Sequence, residues 1–224
     1  VTKIALVGTA PSSNLRAPYD DPSWEIWACG PANAGALPRC DEWFELHDLK
    51  PLERDATWTS YLSWLTLQRS VYTINLDPRF AGFKTFPKDE MLREFGPYFF
   101  TSSIAWMMAL AISRKPDAIG LWGIDMTSSS EYGDQRAGCH HFLQVARDRG
   151  IDVIVPDESD LAKPLPMYGY REMNPMWRKL SLRRQEFEGR QAMLRGQKAE
   201  IEREEMALSG ALENLDYVMK TWIS

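Results

Sequence analysis

Several short stretches of this chain place small, hydroxyl-bearing or ionisable residues directly after apolar runs. They are Gly8-Thr9-Ala10-Pro11-Ser12-Ser13-Asn14, Gly30-Pro31-Ala32-Asn33, His47-Asp48 and Gly123-Ile124-Asp125-Met126, with Thr101-Ser102-Ser103 opening an apolar helical run. Small residues there let backbone N–H groups approach an anion, and a helix N-terminus adds partial positive charge. The chemistry this suits is binding of a phosphate-bearing ligand such as a nucleotide. The candidate binding residues are Gly8, Thr9, Pro11, Ser12, Ser13, Gly30, Asn33, Thr101, Ser102, Ser103, Gly123 and Asp125. Asp125 sits where a ribose or base contact is expected.

His47 is the acid–base candidate by position, with Asp48 beside it. Glu131 to Arg136 reads as a polar loop, in which Tyr132 and the forked Arg136 guanidinium close over a phosphate. Cys139-His140-His141 suggests a metal, but adjacent helical positions point about 100° apart and do not chelate one ion. There is no His-x-x-x-His or Cys-x-x-Cys spacing, so no metal site and no cofactor are expected, the nucleotide being ligand or substrate. Neither the Gly-x-Gly-x-x-Gly fingerprint nor a Gly-Lys-Ser/Thr phosphate loop is present.

The elements that must carry these residues alternate in type. Lys3–Val7, Glu25–Cys29, Glu42–Leu46, Val71–Ile74, Ala118–Trp122 and Asp152–Val155 read as short buried strands, the fourth ended by the Asp77-Pro78 turn. Tyr61–Leu67, Thr101–Arg114 and Cys139–Arg149 read as helices, the second capped by Ser102 or Ser103 and apolar almost all round. Strands alternating with helices call for an α/β, Rossmann-like fold, a mostly parallel sheet with helices on both faces. In such a sheet ligands bind beyond the carboxyl ends of the strands, where the strand order reverses.

The composition agrees with a folded domain: of 224 residues, 44% are apolar and 25% charged. A net charge of −5 argues against coating nucleic acid, which needs a basic surface. Three widely spaced cysteines give no disulfide framework and fit a reducing compartment. The chain starts on a strand-like run, so no secretory leader is expected, and no run of 18 apolar residues would span a membrane. The expected location is the cytoplasm.

Pro164 and Pro166 mark a change, so residues 1–165 are expected to form the nucleotide-binding domain and 166–224 a helical oligomerisation segment. From 173 to 222 one long helix is expected. Leu180, Phe187, Leu194, Ile201, Leu208, Leu215 and Trp222 recur every seven residues, a coiled-coil seam. Its companion position is polar until Leu212 and Met219, and Gly189, Gly196 and Gly210 each cost about 1 kcal/mol relative to Ala. Such a helix needs a partner, either its own domain or another chain. Residues 171–198 hold eight basic against three acidic side chains, and 199–224 two against six. A second copy lying antiparallel sets basic against acidic, which favours a homo-oligomer.

Val7-Gly8-Thr9-Ala10-Pro11-Ser12, Thr101-Ser102-Ser103 and Gly123-Ile124-Asp125 with its Tyr-bearing loop resemble the sialyltransferase-like Rossmann group. That group takes in bacterial sialyltransferases, motility-accessory-factor glycosyltransferases and 6-hydroxymethylpterin diphosphokinase-like proteins. Tyr98-Phe99-Phe100-Thr101-Ser102-Ser103 and Glu131-Tyr132 to Arg136 look most like its phage-encoded members, for which the location would be the host cytoplasm. The resemblance covers about residues 3–162. It implies that Gly8, Pro11, Ser12, Thr101 and Ser102 hold the nucleotide and that Tyr132 holds the leaving phosphate. The chain reads Thr-Ser-Ser where the group reads Thr-Ser-Gly, carries Gly30 with Asn33 nearby in place of an Asn after the second strand, and shortens the acceptor lid. The expected function is a metal-independent transferase using a CMP-sugar-like donor, with His47 as base oriented by Asp48 or a backbone carbonyl. The alternative is a non-catalytic module that binds or sequesters a nucleotide.

Overall fold

The computed structural model describes residues 2–53, 55–75, 82–126, 130–164, 169 and 175–222, apart from the side chains of 51, 52, 130–132 and 175–177. The chain divides into two compact units, Val1–Pro164 and Leu165–Ser224.

The first unit is built on seven strands: β1 (Lys3–Val7), β2 (Trp24–Cys29), β3 (Glu42–Glu45), β4 (Val71–Thr73), β5 (Phe83–Thr85), β6 (Ala118–Trp122) and β7 (Asp152–Ile154). They form one sheet in the order β5-β4-β3-β2-β1-β6-β7. Every pairing is parallel. The helices are α1 (Leu49–Glu53), α2 (Thr59–Leu65), α3 (Lys88–Phe95), α4 (Ser103–Ser113) and α5 (Ser130–Asp148). This is the expected α/β Rossmann-like architecture.

Parallel strands covered on both faces must be apolar at odd and even positions alike, and β1 shows it. Ile4 and Leu6 join the core formed with α3, α4 and α5, while Ala5 and Val7 join the opposite core with Tyr61 and Leu65 of α2. Helix α4 is buried almost all round because it fills the centre of the first core. Its Ile104, Met107, Met108 and Ile112 each contribute about 1.5–3 kcal/mol by burial. Ser102 is its N-cap, accepting a hydrogen bond from Ala105 N at 3.1 Å.

Three elements escape a pattern-based reading. In β5 only Phe83 is buried, so this edge strand has no alternation to detect, α3 buries only Met91 fully, and α1 is five residues long, too short to show a period. A further difference is a correction. Residues 131–136, expected as a polar loop, belong to α5, which starts at Ser130 rather than near Cys139. Gly138 must be glycine there because α5 packs tightly on the turn before α4. A Cβ at this position would lie 2.3 Å from Phe99 O and 2.4 Å from Thr101 Oγ1. The Asp77-Pro78 turn lies outside the described residues.

The second unit contains α6 (Pro175–Trp222), a single helix of 48 residues and so about 70 Å long. Leu180, Phe187, Leu194, Ile201, Leu208, Leu215 and Trp222 are each more than half exposed along it. Ion pairs of its own, Arg183–Glu186, Arg184–Glu188 and Lys198–Glu202, brace the helix. Among the described residues no helix is long and apolar enough to cross a membrane.

Candidate functional site at the strand ends

The sheet order defines where a ligand can sit. From β1 the chain builds outward to β5, then returns to lay β6 on the other side of β1, so the strand order reverses between β1 and β6. The turns leaving these two strands are pressed together. A Cβ on Gly8 would lie 2.5 Å from Gly123 O, and one on Gly123, whose φ is +65°, would lie 2.4 Å from Gly8 O. Only glycine at both positions allows the approach. Ala10 N bonds Gly123 O at 2.9 Å and fixes the pair.

A cavity of about 790 Å³ opens over this junction. Gly8, Thr9, Ala10 and Pro11 line one side, Gly123, Ile124, Asp125 and Met126 another. Cys29 and Gly30 follow β2, Leu46 and His47 follow β3, and Thr101, Ser102, Ser103 and Ile104 bring the N-terminus of α4. Phe100 and Trp106, stacked with centroids 3.8 Å apart, supply a flat apolar wall. Gln135 of α5 completes the lining. Two non-glycine residues near the cavity have positive φ, Phe99 at 69° and Met126 at 55°, a strained conformation held by its surroundings.

Ten of the candidate residues thus share one cavity: Gly8, Thr9, Pro11, Gly30, His47, Thr101, Ser102, Ser103, Gly123 and Asp125. The others lie elsewhere. Ser12 stands behind Asp125, its hydroxyl donating to Oδ1 at 2.9 Å. Ser13 is buried and accepts from Gly123 N at 2.8 Å. Asn33, also buried, donates its amide to Gly8 O at 2.9 Å and Cys29 O at 3.0 Å, clamping the ends of β1 and β2. Asp48 does not line the cavity; it accepts from Lys50 N at 3.1 Å as α1 begins. Tyr132 is on α5, with its side chain outside the described residues. Arg136 corrects the expectation of a phosphate clamp: its guanidinium donates to Asp160 O at 2.6 Å and Lys163 O at 2.8 Å. Its position on a helix turns it to the segment after β7.

The partner of His47 is also a correction. Its Nδ1 is 2.6 Å from Glu45 Oε1, so the Glu45 carboxylate meets that ring nitrogen, while Asp48 accepts from Lys50 N. The same oxygen accepts the His47 backbone N–H at 3.1 Å. Glu45 is 2% exposed, whereas the His47 side chain is 71% exposed. Tyr61 O–H donates to Glu45 Oε2 at 2.5 Å and accepts from Trp43 Nε1 at 3.1 Å. Burial, and then the Glu45 charge, push the Tyr61 phenol above its ordinary value and the Cys29 thiol up to about 12. Neither group supplies an anion at neutral pH. His140, the other histidine considered, is outside the cavity lining and is held below its usual value by burial and then by Arg136 and Arg147. Among the described residues no three of His, Cys, Asp and Glu cluster as metal ligands would.

Glu45, Cys29, Phe100, Trp106 and Gln135 were not singled out by sequence reasoning. For Glu45 a signal existed, a carboxylate at the end of a strand otherwise bound for the core, two residues before a histidine and therefore on its face. The aromatic pair gave none, since Phe and Trp beside a buried helix read as core.

Fold and cavity together define an α/β protein of Rossmann-like architecture with a ligand-sized cleft at its topological switch point. No family model matches the chain, and no curated protein matches it. Among solved structures, the sialyltransferase CstII from Campylobacter jejuni in complex with CMP-3FNeuAc aligns with a TM-score of 0.48 at 14% identity, over 69% of this chain and 80% of that one. The same enzyme with cytidine-5'-monophosphate gives 0.47 at 15% identity, over 69% and 79%. Thiamine pyrophosphokinase from Bacillus subtilis gives 0.39 at 15%, over 69% of this chain and 60% of that one.

Proposed function

We propose that the chain binds a nucleotide-activated donor of the CMP-sugar type in the strand-end cavity and transfers the activated group, without a metal, to an acceptor hydroxyl. The observation that carries this is the convergence of the Gly8–Pro11 turn, the Thr101–Ser103 helix start and His47 on one cavity of about 790 Å³. The donors offered to a phosphate are neutral hydroxyls and backbone N–H groups at a helix N-terminus, with the Asp125 carboxylate also in the lining. Such a set suits a single phosphate rather than a chain of them. Asp125, oriented by Ser12, faces a ribose hydroxyl, and the Phe100–Trp106 wall faces an apolar ring.

In the proposed reaction the acceptor oxygen bonds to the activated carbon as that carbon's bond to the phosphate oxygen breaks. The acceptor proton passes to His47 Nε2, and the nucleoside monophosphate leaves with the electron pair. Tyr132 keeps the role of phosphate partner that its place in the resemblance implies. The same reading makes α6 the segment that joins chains, and puts the protein in the cytoplasm, where Cys29, Cys40 and Cys139 are free thiols.

Calorimetric titration with CMP, CDP, UMP, GMP, AMP and a CMP-sugar tests the reading. One saturable site is expected, unchanged in EDTA and lost in Ser103→Leu, which fills the cavity. A ligand at a hundred times its Kd adds about 2.7 kcal/mol of stability, so a thermal-shift screen finds it too. No binding by any nucleotide, or binding indifferent to Ser103→Leu, overturns the proposal. Binding without turnover assigns the chain to the non-catalytic alternative.

A further inference from the structure

We infer that Glu45 is a positioning residue that holds the His47 imidazole with its proton on Nδ1 and its lone pair on Nε2, so that the cavity receives a base in one tautomer. The inference rests on the proposed role of His47 and goes beyond it by naming what aims the ring.

The direction of the hydrogen bonds carries the argument. An indole N–H can only donate, so Trp43 Nε1, 3.1 Å from Tyr61 O, makes that hydroxyl an acceptor there. The Tyr61 proton is then turned onward to Glu45 Oε2, 2.5 Å away, and that oxygen accepts. Oε1 meets the His47 backbone N–H, which again can only donate, at 3.1 Å. With obligatory donors on both sides, the remaining bond, Oε1 to His47 Nδ1 at 2.6 Å, is the carboxylate accepting the ring N–H. The chain therefore runs Trp43 to Tyr61 to Glu45, met from the other end by His47.

Local structure makes this array rigid. Trp43 and Glu45 are alternate residues of β3 and face the same side, where Tyr61 of α2 packs between them. All three are buried, so water does not compete for Glu45, while His47, two residues past the strand end, reaches the cavity. When Nε2 takes a proton from an acceptor hydroxyl, the imidazolium formed lies against a carboxylate already in place. Among the described residues, Tyr61 from α2 and Cys29 from β2 both feel the Glu45 charge, and burial raises both, so that they are uncharged at neutral pH.

The test needs no ligand in its first arm. In long-range 1H–15N spectra of the full chain, neutral His47 is expected as the Nδ1–H tautomer. In Glu45→Gln the ring, deprived of the adjacent negative charge, titrates at lower pH than in the wild type. An Nε2–H tautomer in the wild type overturns the inference outright, even if Glu45→Gln fails to fold. So does an unmoved His47 titration in a folded Glu45→Gln. Tyr61→Phe, which keeps the packing and the Glu45–His47 pair, should keep the tautomer; its loss there would overturn the inference, because Glu45 next to the ring would not suffice to set it. Once a donor is in hand, Glu45→Gln should lower kcat roughly a hundredfold or more with KM within about threefold, and move the acidic limb of the pH profile downward. A KM effect with kcat intact overturns it. The spectra report on the pair whether or not any nucleotide binds, so failure of the transferase reading and failure of this inference are separable.

Discussion

Asn33→Ala removes a buried side chain whose amide nitrogen donates to Gly8 O at 2.9 Å and Cys29 O at 3.0 Å, with Val7 O at 3.4 Å. Its oxygen also accepts from Asn14 Nδ2 at 3.3 Å. The sequence places Asn33 among the nucleotide ligands; the structure commits it to the backbone beneath the cavity. Alanine strands the carbonyls of Gly8 and Cys29, and the shift of either would loosen the turn that Gly8 presses on Gly123. A buried polar group left without a partner costs about 1–3 kcal/mol. Taking the two short bonds and discounting the two long ones, the loss should be about 2–4 kcal/mol. With a urea m-value of about 2–3 kcal/mol/M for a domain of this size, the midpoint should fall by about 1–2 M at unchanged m. Buried Trp27 and Trp43 report the transition by fluorescence. Nucleotide affinity, measured at low temperature where the variant stays folded, should remain within a few-fold of wild type. A midpoint shift under about 0.3 M together with lost binding would refute the reasoning and return Asn33 to the ligand.

Two further outcomes follow from the charges and from α6. Arg16 Nη1 donates to Glu158 Oε1 at 2.8 Å, and that hydrogen bond foremost holds the Glu158 carboxyl down to about 2. The pair's contribution is therefore present above the usual carboxylate range and lost as pH falls through about 2, and in Arg16→Ala a carbon-detected carboxyl titration should find Glu158 back near its ordinary value; an unmoved midpoint refutes the link. Light scattering of the full chain should give an oligomer, and Leu208→Asp with Leu212→Asp and Leu215→Asp a smaller mass with the first unit still folded, whereas a full-length monomer at micromolar concentration refutes self-association.

What the sequence discloses depends on how strongly burial imprints a pattern. The strands β1, β2, β3 and β6 and the helix α4 are legible because both faces of the sheet are covered there, which forces buried runs closed by glycine or a turn, whereas β4 and the exposed edge strand β7 are legible from β-branched residues ahead of a turn. Strand β5 and helix α3 lie at the edge, where one buried residue each leaves no periodicity. The start of α5 is hidden by Gly133 and Gly138, which look like loop residues, although Gly138 is required by the close approach of Phe99 O. The site is legible to the same degree. The parallel fold announces that strand ends converge, so ten candidates could be placed in one cavity by element order alone. Which oxygen His47 bonds, and where Arg136 turns, depends on tertiary neighbours far away in the chain, such as Tyr61 and Asp160.

The strand end is layered, and the layers separate roles that residue type alone confuses. Ser12, Ser13 and Asn33 carry the same chemistry as Thr9, Thr101 and Ser103, and all six follow an apolar run or open one. Their difference is in what they already bond. Ser13 answers Gly123 N, Asn33 answers Gly8 O and Cys29 O, and Ser12 answers Asp125. A buried polar group must be paired within the fold, so these three brace the turns over which the cavity opens. Glu45 belongs to the same lower layer, paired by Tyr61 and His47, yet it differs in one respect: its bond to His47 Nδ1 reaches a ring that is itself in the cavity. A brace that ends on a backbone carbonyl fixes shape alone. One that ends on an imidazole would also fix which nitrogen carries the proton, and that is the part we infer for the buried Glu45 carboxylate.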